Sequence, residues 1–247
     1  MIDRTIVKLT IRQLLGQKRT ILMAFFALIP VAIACLVRIA ASEGDDLQDI
    51  AANSVLGGLI VKLLLPLTAL IFGTAALGAE FEDGTAVYLL SKPIPRATVV
   101  ISKLLVCWLA TVAVVLLATL AAGAIVLAGE PQAGIIPGFT AGVILGSLAY
   151  CAGFLWLSIA TSRALIVGLL YVFIWEGAVA NLFSGVHMLS IGAYTTGIAG
   201  WFVDLRPRIF DPDLDAGISL LLTLAVAAVA TWFGVRALKR WEIGEAS

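Results

Sequence analysis

Residues 104–128 read LLVCWLATVAVVLLATLAAGAIVLA, an unbroken apolar run with no charged residue. At about 1.5 Å per residue, a helix of this length exceeds the roughly 30 Å hydrocarbon core of a bilayer. Strands of a membrane barrel would alternate apolar and polar residues over about ten positions, and this run does not alternate. It therefore predicts a membrane-spanning helix. Five other stretches are long and predominantly apolar, Ile21–Ala41, Leu56–Gly78, Ile135–Ala160, Ala164–Val186 and Ala216–Ala237. The chain thus reads as a single all-α membrane domain over residues 1–247 with six transmembrane helices.

Composition agrees with this. Hydrophobic residues make up 61% of the chain and the mean hydropathy is +1.07, against roughly 45–50% apolar residues in a soluble domain. The sixteen basic and sixteen acidic residues cancel and cluster between the apolar runs. Charge therefore marks loops, and nothing in its balance points to nucleic acid.

The basic residues fall unevenly. Arg4, Lys8, Arg12, Lys18 and Arg19 precede the first run; Lys92, Arg96 and Lys103 lie between the second and third; Arg163 lies between the fourth and fifth; Arg236, Lys239 and Arg240 follow the sixth. In a six-span chain these twelve share one side, against Arg38, Arg206 and Arg208 on the other. Lys and Arg collect in cytoplasmic loops, so both termini are expected in the cytoplasm, with the protein in the cell membrane, as in a prokaryotic plasma membrane.

Residues 1–20 place Ile2, Ile6, Leu9, Leu14 and Leu15 among Arg4, Lys8, Arg12 and Lys18 in a helical rhythm. This predicts an amphipathic helix in the membrane interface, its basic face toward lipid headgroups. The stretch from Asn181 to Asp215 mixes Gly185, Gly192, Gly197, Gly200, Pro207 and Pro212 with Met188, Leu189, Ile191, Trp201 and Phe202. It is too broken for a span and too apolar for a solvated loop, and is read as partly re-entrant on the extracytoplasmic side, buried in protein.

Enzymatic chemistry finds little support. His187 is the only histidine, and the sequence has no GxSxG elbow and no HExxH. Cys35, Cys107 and Cys151 all sit inside apolar runs without metal-ligand or CxxC spacing, and read as small packing residues. No GxxxxGK[ST] loop is present, so the chain has no Walker A cradle for nucleotide phosphates. No cofactor is expected in it.

Two charges lie inside predicted spans, Lys62 and Glu176. Ionisable groups at depth cost several kcal/mol unless paired or wet, so these residues, with Asn181 near the end of the same span as Glu176, are candidates for a translocation path. Lys62 and Glu176 are close enough in expected depth to pair or to share a polar cavity, while snorkelling of Lys62 and a hydrogen-bonded role for Glu176 in helix packing remain open. Gly142 and Gly146 have the small-residue spacing of close helix contacts and are read as ordinary packing.

The longest charged stretch on the basic side runs from Glu80 to Arg96, EFEDGTAVYLLSKPIPR. Its acidic start suits a helix N-terminus, Lys92 lies near the other end, and Pro93 and Pro95 stop the helix. Val87, Tyr88 and Leu90 give it apolar contacts for a groove in a partner. The pattern of Glu80, Gly84, Thr85, Leu89, Leu90, Ser91, Pro93, Ile94 and Arg96, with Lys103 at the next span, resembles the signature of the ABC-2 type permease family. Pro95 departs from it, where family members often carry Ser or Thr.

That resemblance implies a membrane-spanning permease subunit of an ABC transporter, with a coupling helix in 80–96 formed around Glu80, Glu82, Gly84, Thr85, Val87, Tyr88, Leu89, Leu90, Pro93 and Arg96. It also implies a separate ATP-binding subunit that holds ATP and Mg, a second permease copy, surrounding lipids, and export as the usual direction. An ion-coupled secondary transporter, a membrane-embedded enzyme and a non-transporting membrane anchor for an ATPase are the alternatives that the residues alone leave open.

Overall fold

The computed structural model describes residues 18–41, 46–82, 95–131, 134–179, 189–203, 210–212 and 214–244. Among these the chain is helical throughout. Helix α1 is Lys18–Ala40. Helix α2 is one long rod made of Leu47–Asp49, a π-helical stretch Ile50–Leu64 and an α-helical stretch Leu65–Glu82. Helix α3 is Arg96–Val126 and α4 is Ile135–Ala160. Helix α5 joins Ala164–Leu170 to a second π-helical stretch, Tyr171–Val179. Helix α6 is the short Ile191–Ala199, and α7 is Ala216–Gly244.

Four of these, Leu47–Leu77 within α2, Arg96–Val126, Ile135–Ala160 and Ala216–Lys239, are long and apolar enough to cross a membrane. Phe25–Ala40 and Ala164–Ala178 are shorter apolar helices. Of the expected fifth span, Ala164–Val179 is helical and residues 180–186 lie outside the described residues. Residues 1–17, most of the expected interfacial helix, lie outside them too.

The boundaries of two spans move. Helix α2 begins at Leu47, well before Leu56, because Asp46 caps it by accepting from the N–H groups of Gln48 and Asp49, both at 3.2 Å. Helix α3 begins at Arg96, so Lys103 lies inside it and not at its mouth. Pro95, with extended backbone, stands at its N-cap. Proline cannot donate to a preceding turn, and it breaks less where the first helical N–H groups lack partners anyway. The same lack of an N–H sits at Pro66, one residue into the α-helical register of α2, just where the π stretch ends.

Helix α4 occupies the centre, touching α2, α3, α6 and α7. Its glycines explain how α6 seats so deeply. A Cβ on Gly138 would stand 2.6 Å from the Ala199 carbonyl oxygen, one on Gly142 2.5 Å from that of Thr195, and one on Gly146 2.1 Å from the Thr195 hydroxyl. Gly134, with φ +74°, completes the row opposite Phe202. Gly142 and Gly146 thus serve close packing within the chain. The contacts run 134 to 202 and 146 to 195, so α6 lies antiparallel to α4.

On α7, Gly197 of α6 meets Ser219 just as closely. Hydroxyls buried in the helices return to their own backbone, as Thr68 to Leu64, Thr111 to Cys107, Thr119 to Val115 and Thr223 to Ser219, at 2.7–2.9 Å, which satisfies them without a partner. Outward-facing apolar residues such as Ile39, Leu117 and Leu221 remain exposed, as lipid-facing side chains would.

At the end of the bundle where α1 stops and α2 starts, Arg38 donates to the Ala128 carbonyl at 2.7 Å and Gln48 to that of Pro131 at 2.9 Å. Arg38 thus ties α1 to the turn that follows α3. The glycine row gives a direct test. Gly142→Val is expected to destabilise the protein by about 1–3 kcal/mol through overpacking, while Gly153→Ala, with nothing within 4 Å of the added carbon, should be neutral. Thermal unfolding in detergent, followed by size-exclusion fluorescence, compares the two.

Candidate functional site

The sequence singles out two places, and they fare differently. Of the 80–96 segment, Glu80 and Glu82 belong to the last turn of α2 and Arg96 to the first turn of α3, while Gly84, Thr85, Val87, Tyr88, Leu89, Leu90 and Pro93 lie outside the described residues. The acidic start that was read as the N-terminus of a separate helix is instead the C-terminal end of α2. No breaker stands between Leu65 and Glu82 except Pro66 in the first turn and Gly73 and Gly78, which a helix tolerates.

The two rods that flank this segment are bolted together. Lys103 is buried, 1% exposed, and its ammonium donates to the Ala76 carbonyl oxygen across the α2–α3 contact. Arg96 is also buried. A cation taken out of water requires compensating partners, so Lys103 holds the end of α2 against the start of α3.

The second place is a polar node inside the bundle. Glu176 is 3% exposed. Its Oε1 accepts from the Tyr150 hydroxyl at 2.9 Å, the Tyr171 hydroxyl at 3.1 Å, the Ile191 N–H at 3.0 Å and the Gly192 N–H at 3.4 Å; its Oε2 accepts from the Ser190 hydroxyl at 2.6 Å. Ser190 in turn accepts from the Ala193 N–H at 3.1 Å. The first three N–H groups of α6 are therefore all met, one by its own N-cap and two by a carboxylate from α5. Those groups have no intrahelical partner, and the positive end of the helix favours an anion.

Tyr150 lies about 15 Å along α4 from Ala160 and about 22 Å from Ile135 at 1.5 Å per residue. The node is thus within the body of the bundle and not at a rim. Helix α5 closes it from outside through Trp175, whose indole N–H donates to the Leu189 carbonyl at 3.2 Å. Tyr150 stacks on Phe154, which meets Tyr171 edge-on.

Lys62 is on the other π stretch, which touches that of α5, and its side chain is exposed. Asn181 lies outside the described residues. Sequence reasoning found Glu176 but not its partners. Ser190 preceding an apolar run was the available signal, an N-cap residue in a segment that looked irregular. Tyr150 and Tyr171 carried no signal, being aromatic residues in apolar helices.

A bundle of long apolar helices around a buried polar node, with a short helix sunk among them, has the build of an integral membrane protein. More narrowly, the chain belongs to the ABC-2 family transporter proteins, whose family model matches residues 4–240. Among curated proteins none matches it significantly. Members of this family are the membrane component of an ABC transporter, distinct from the nucleotide-binding subunit with which they generally work.

The node makes a stability prediction. Every neighbour of Glu176 donates, so Glu176→Ala strands two tyrosine hydroxyls and two backbone N–H groups; with roughly 1–3 kcal/mol for each buried group left unsatisfied, it should lower the unfolding temperature more than any single neighbour substitution. Tyr150→Phe and Tyr171→Phe each remove one donor and should cost about 1 kcal/mol. Glu176→Gln keeps an acceptor for the α6 N–H groups and presents its amide to Ser190, and should fall between. Thermal unfolding in detergent orders the four variants.

Proposed function

We propose that this chain is the membrane-spanning permease subunit of an ABC exporter, forming the translocation path and driven by a separate subunit that binds ATP and Mg. The family match over residues 4–240 carries the reading, and the Glu80–Arg96 signature gives the partner its place. In this reading the 80–96 segment holds a coupling helix, with Val87, Tyr88, Leu89 and Leu90 as apolar anchors in a groove of the ATPase. Closure of the ATPase on nucleotide moves this helix and biases the spans between two openings. Because Lys103 joins α2 to α3 beside the segment, a push on it reaches both rods together.

The path needs a second permease copy, and Lys62, Glu176 and Asn181 border it. Helices α1 and α5 complete six spans, with Asn181–Asp215 dipping back from the outer side. Both termini face the cytoplasm. The twelve-to-three asymmetry of basic residues supports that orientation.

Co-expression with the ATP-binding subunit tests the coupling. The two proteins are expected to co-purify, and the triple substitution Val87→Asp, Tyr88→Asp, Leu90→Asp to abolish it while the permease still reaches the membrane. Retention of the ATPase by the triple variant would overturn the assignment of the segment. Orientation is checked with alkaline phosphatase fusions, expected to be active after Glu130 and inactive after Arg163 and Ser247.

A further inference from the structure

The contacts of α5 differ in kind from those of the other helices. Gly168 meets Leu70 of α2, where a Cβ would come within 2.1 Å of Leu70 Cδ1. Tyr171 meets Phe154 of α4 edge to face. Glu176 meets Tyr150, Ser190 and the tip of α6. These three contacts succeed one another along α5. To one side, a cavity of about 510 Å³ separates Val167 and Tyr171 from Val226, Val229 and Phe233 of α7. To the other, a cavity of about 330 Å³ separates Leu169 and Phe173 from Phe26 and Ile29 of α1. Ile166, Leu170, Phe173 and Ile174 are exposed.

Helix α6 is the opposite case. The glycine row of α4 and the Gly197–Ser219 approach leave no room for one added carbon, so α4, α6 and α7 form a block that cannot shear without clashes. Helix α5 therefore sits on a narrow ridge between a rigid block and the α1–α2 side, with free volume on both flanks. Among the described contacts its polar attachments to the block are the carboxylate of Glu176 and the indole N–H of Trp175, which meets the Leu189 carbonyl just before α6. The two apolar contacts on the ridge tolerate rotation, since dispersion contacts are non-directional, whereas hydrogen bonds from two α6 N–H groups and from the Ser190 and Tyr150 hydroxyls fix both position and angle.

We infer that Glu176 is a positioning residue that pins α5 to the tip of α6, and that α5 swings toward its flanking grooves when the carboxylate is lost. The inference itself concerns the permease alone and stands apart from the ATPase.

Spin-label distance measurements on the permease in lipid nanodiscs, without any ATPase, test it. Labels replace Leu170 on α5 and Leu221 on α7 in a background where Cys35, Cys107 and Cys151 are changed to Ala. A second pair, Leu117 on α3 with Leu221, reports the rest of the bundle, and singly labelled protein removes distances between copies. With Glu176 present, both pairs are expected to give one narrow distribution. Glu176→Ala is expected to broaden and shift the 170–221 distribution and leave 117–221 unchanged, and Glu176→Gln to restore most of the narrow form.

An unchanged 170–221 distribution in Glu176→Ala overturns the inference, as does equal broadening of both pairs, which would mean general loosening. Should Glu176→Ala not be recoverable from the membrane, Ser190→Ala and Tyr150→Phe each remove one bond from the block to the same carboxylate and are read in the same way, with a smaller shift. Failure here with intact ATPase binding would leave the permease assignment in place. Success with no ATPase binding would leave the pin in place and remove the coupling segment.

Discussion

A helix that begins inside an apolar bundle has no water to meet its first N–H groups, and the rest of this molecule is arranged around that constraint. Helix α6 starts at Ile191, level with the middle of α4. Ser190 covers one N–H and Glu176 covers two. The carboxylate comes from a different helix, so capping α6 also decides where α5 stands. Tyr150 and Tyr171 then complete the shell around the same oxygen. Remove that anion and two N–H groups of α6 lose their acceptor, while α5 loses most of its polar hold.

The second organising contact is at the other end of α2 and α3. Lys103 is buried against the Ala76 carbonyl, and a buried ammonium is not displaced cheaply. The bundle thus has a fixed joint beside the segment that the family signature marks, and a fixed joint at mid-depth around Glu176. Glu176 itself stands on one of two π-helical stretches, Ile50–Leu64 and Tyr171–Val179, which touch each other. π-Helical geometry is rare and concentrates at functional positions, and here it carries both charges predicted to lie within the membrane, Lys62 and Glu176.

Much of this was legible in the chain. Length and hydropathy located α4 at Ile135–Ala160 to the residue, because a glycine precedes that run and Thr161, Ser162 and Arg163 follow it. They located α3 and α2 less well. Lys103 looked like a span boundary because lysine at depth is costly, yet it is buried with a carbonyl partner that sequence cannot display. Glu80 and Glu82 looked like a helix start because acidic residues favour one, but the helix already in progress simply continues through them. The family resemblance rested on contiguous residues and was therefore readable, and the match over residues 4–240 upholds it.

What the sequence determined by itself was the solvent of this protein, the helical class, and the family, since each depends on runs and patterns that are local along the chain. Glu176 was recognisable as a problem, an acid in an apolar run. Its solution was not, because Tyr150, Tyr171, Ser190 and the Ile191 and Gly192 amides come from separate segments that only packing brings together. Gly142 and Gly146 likewise announced close packing but not with what, and Gly134 and Gly138 announced nothing. Tertiary structure alone decided that they receive α6, since the steric fit of one backbone to another is a property of the folded pair and has no signature in either strand of sequence.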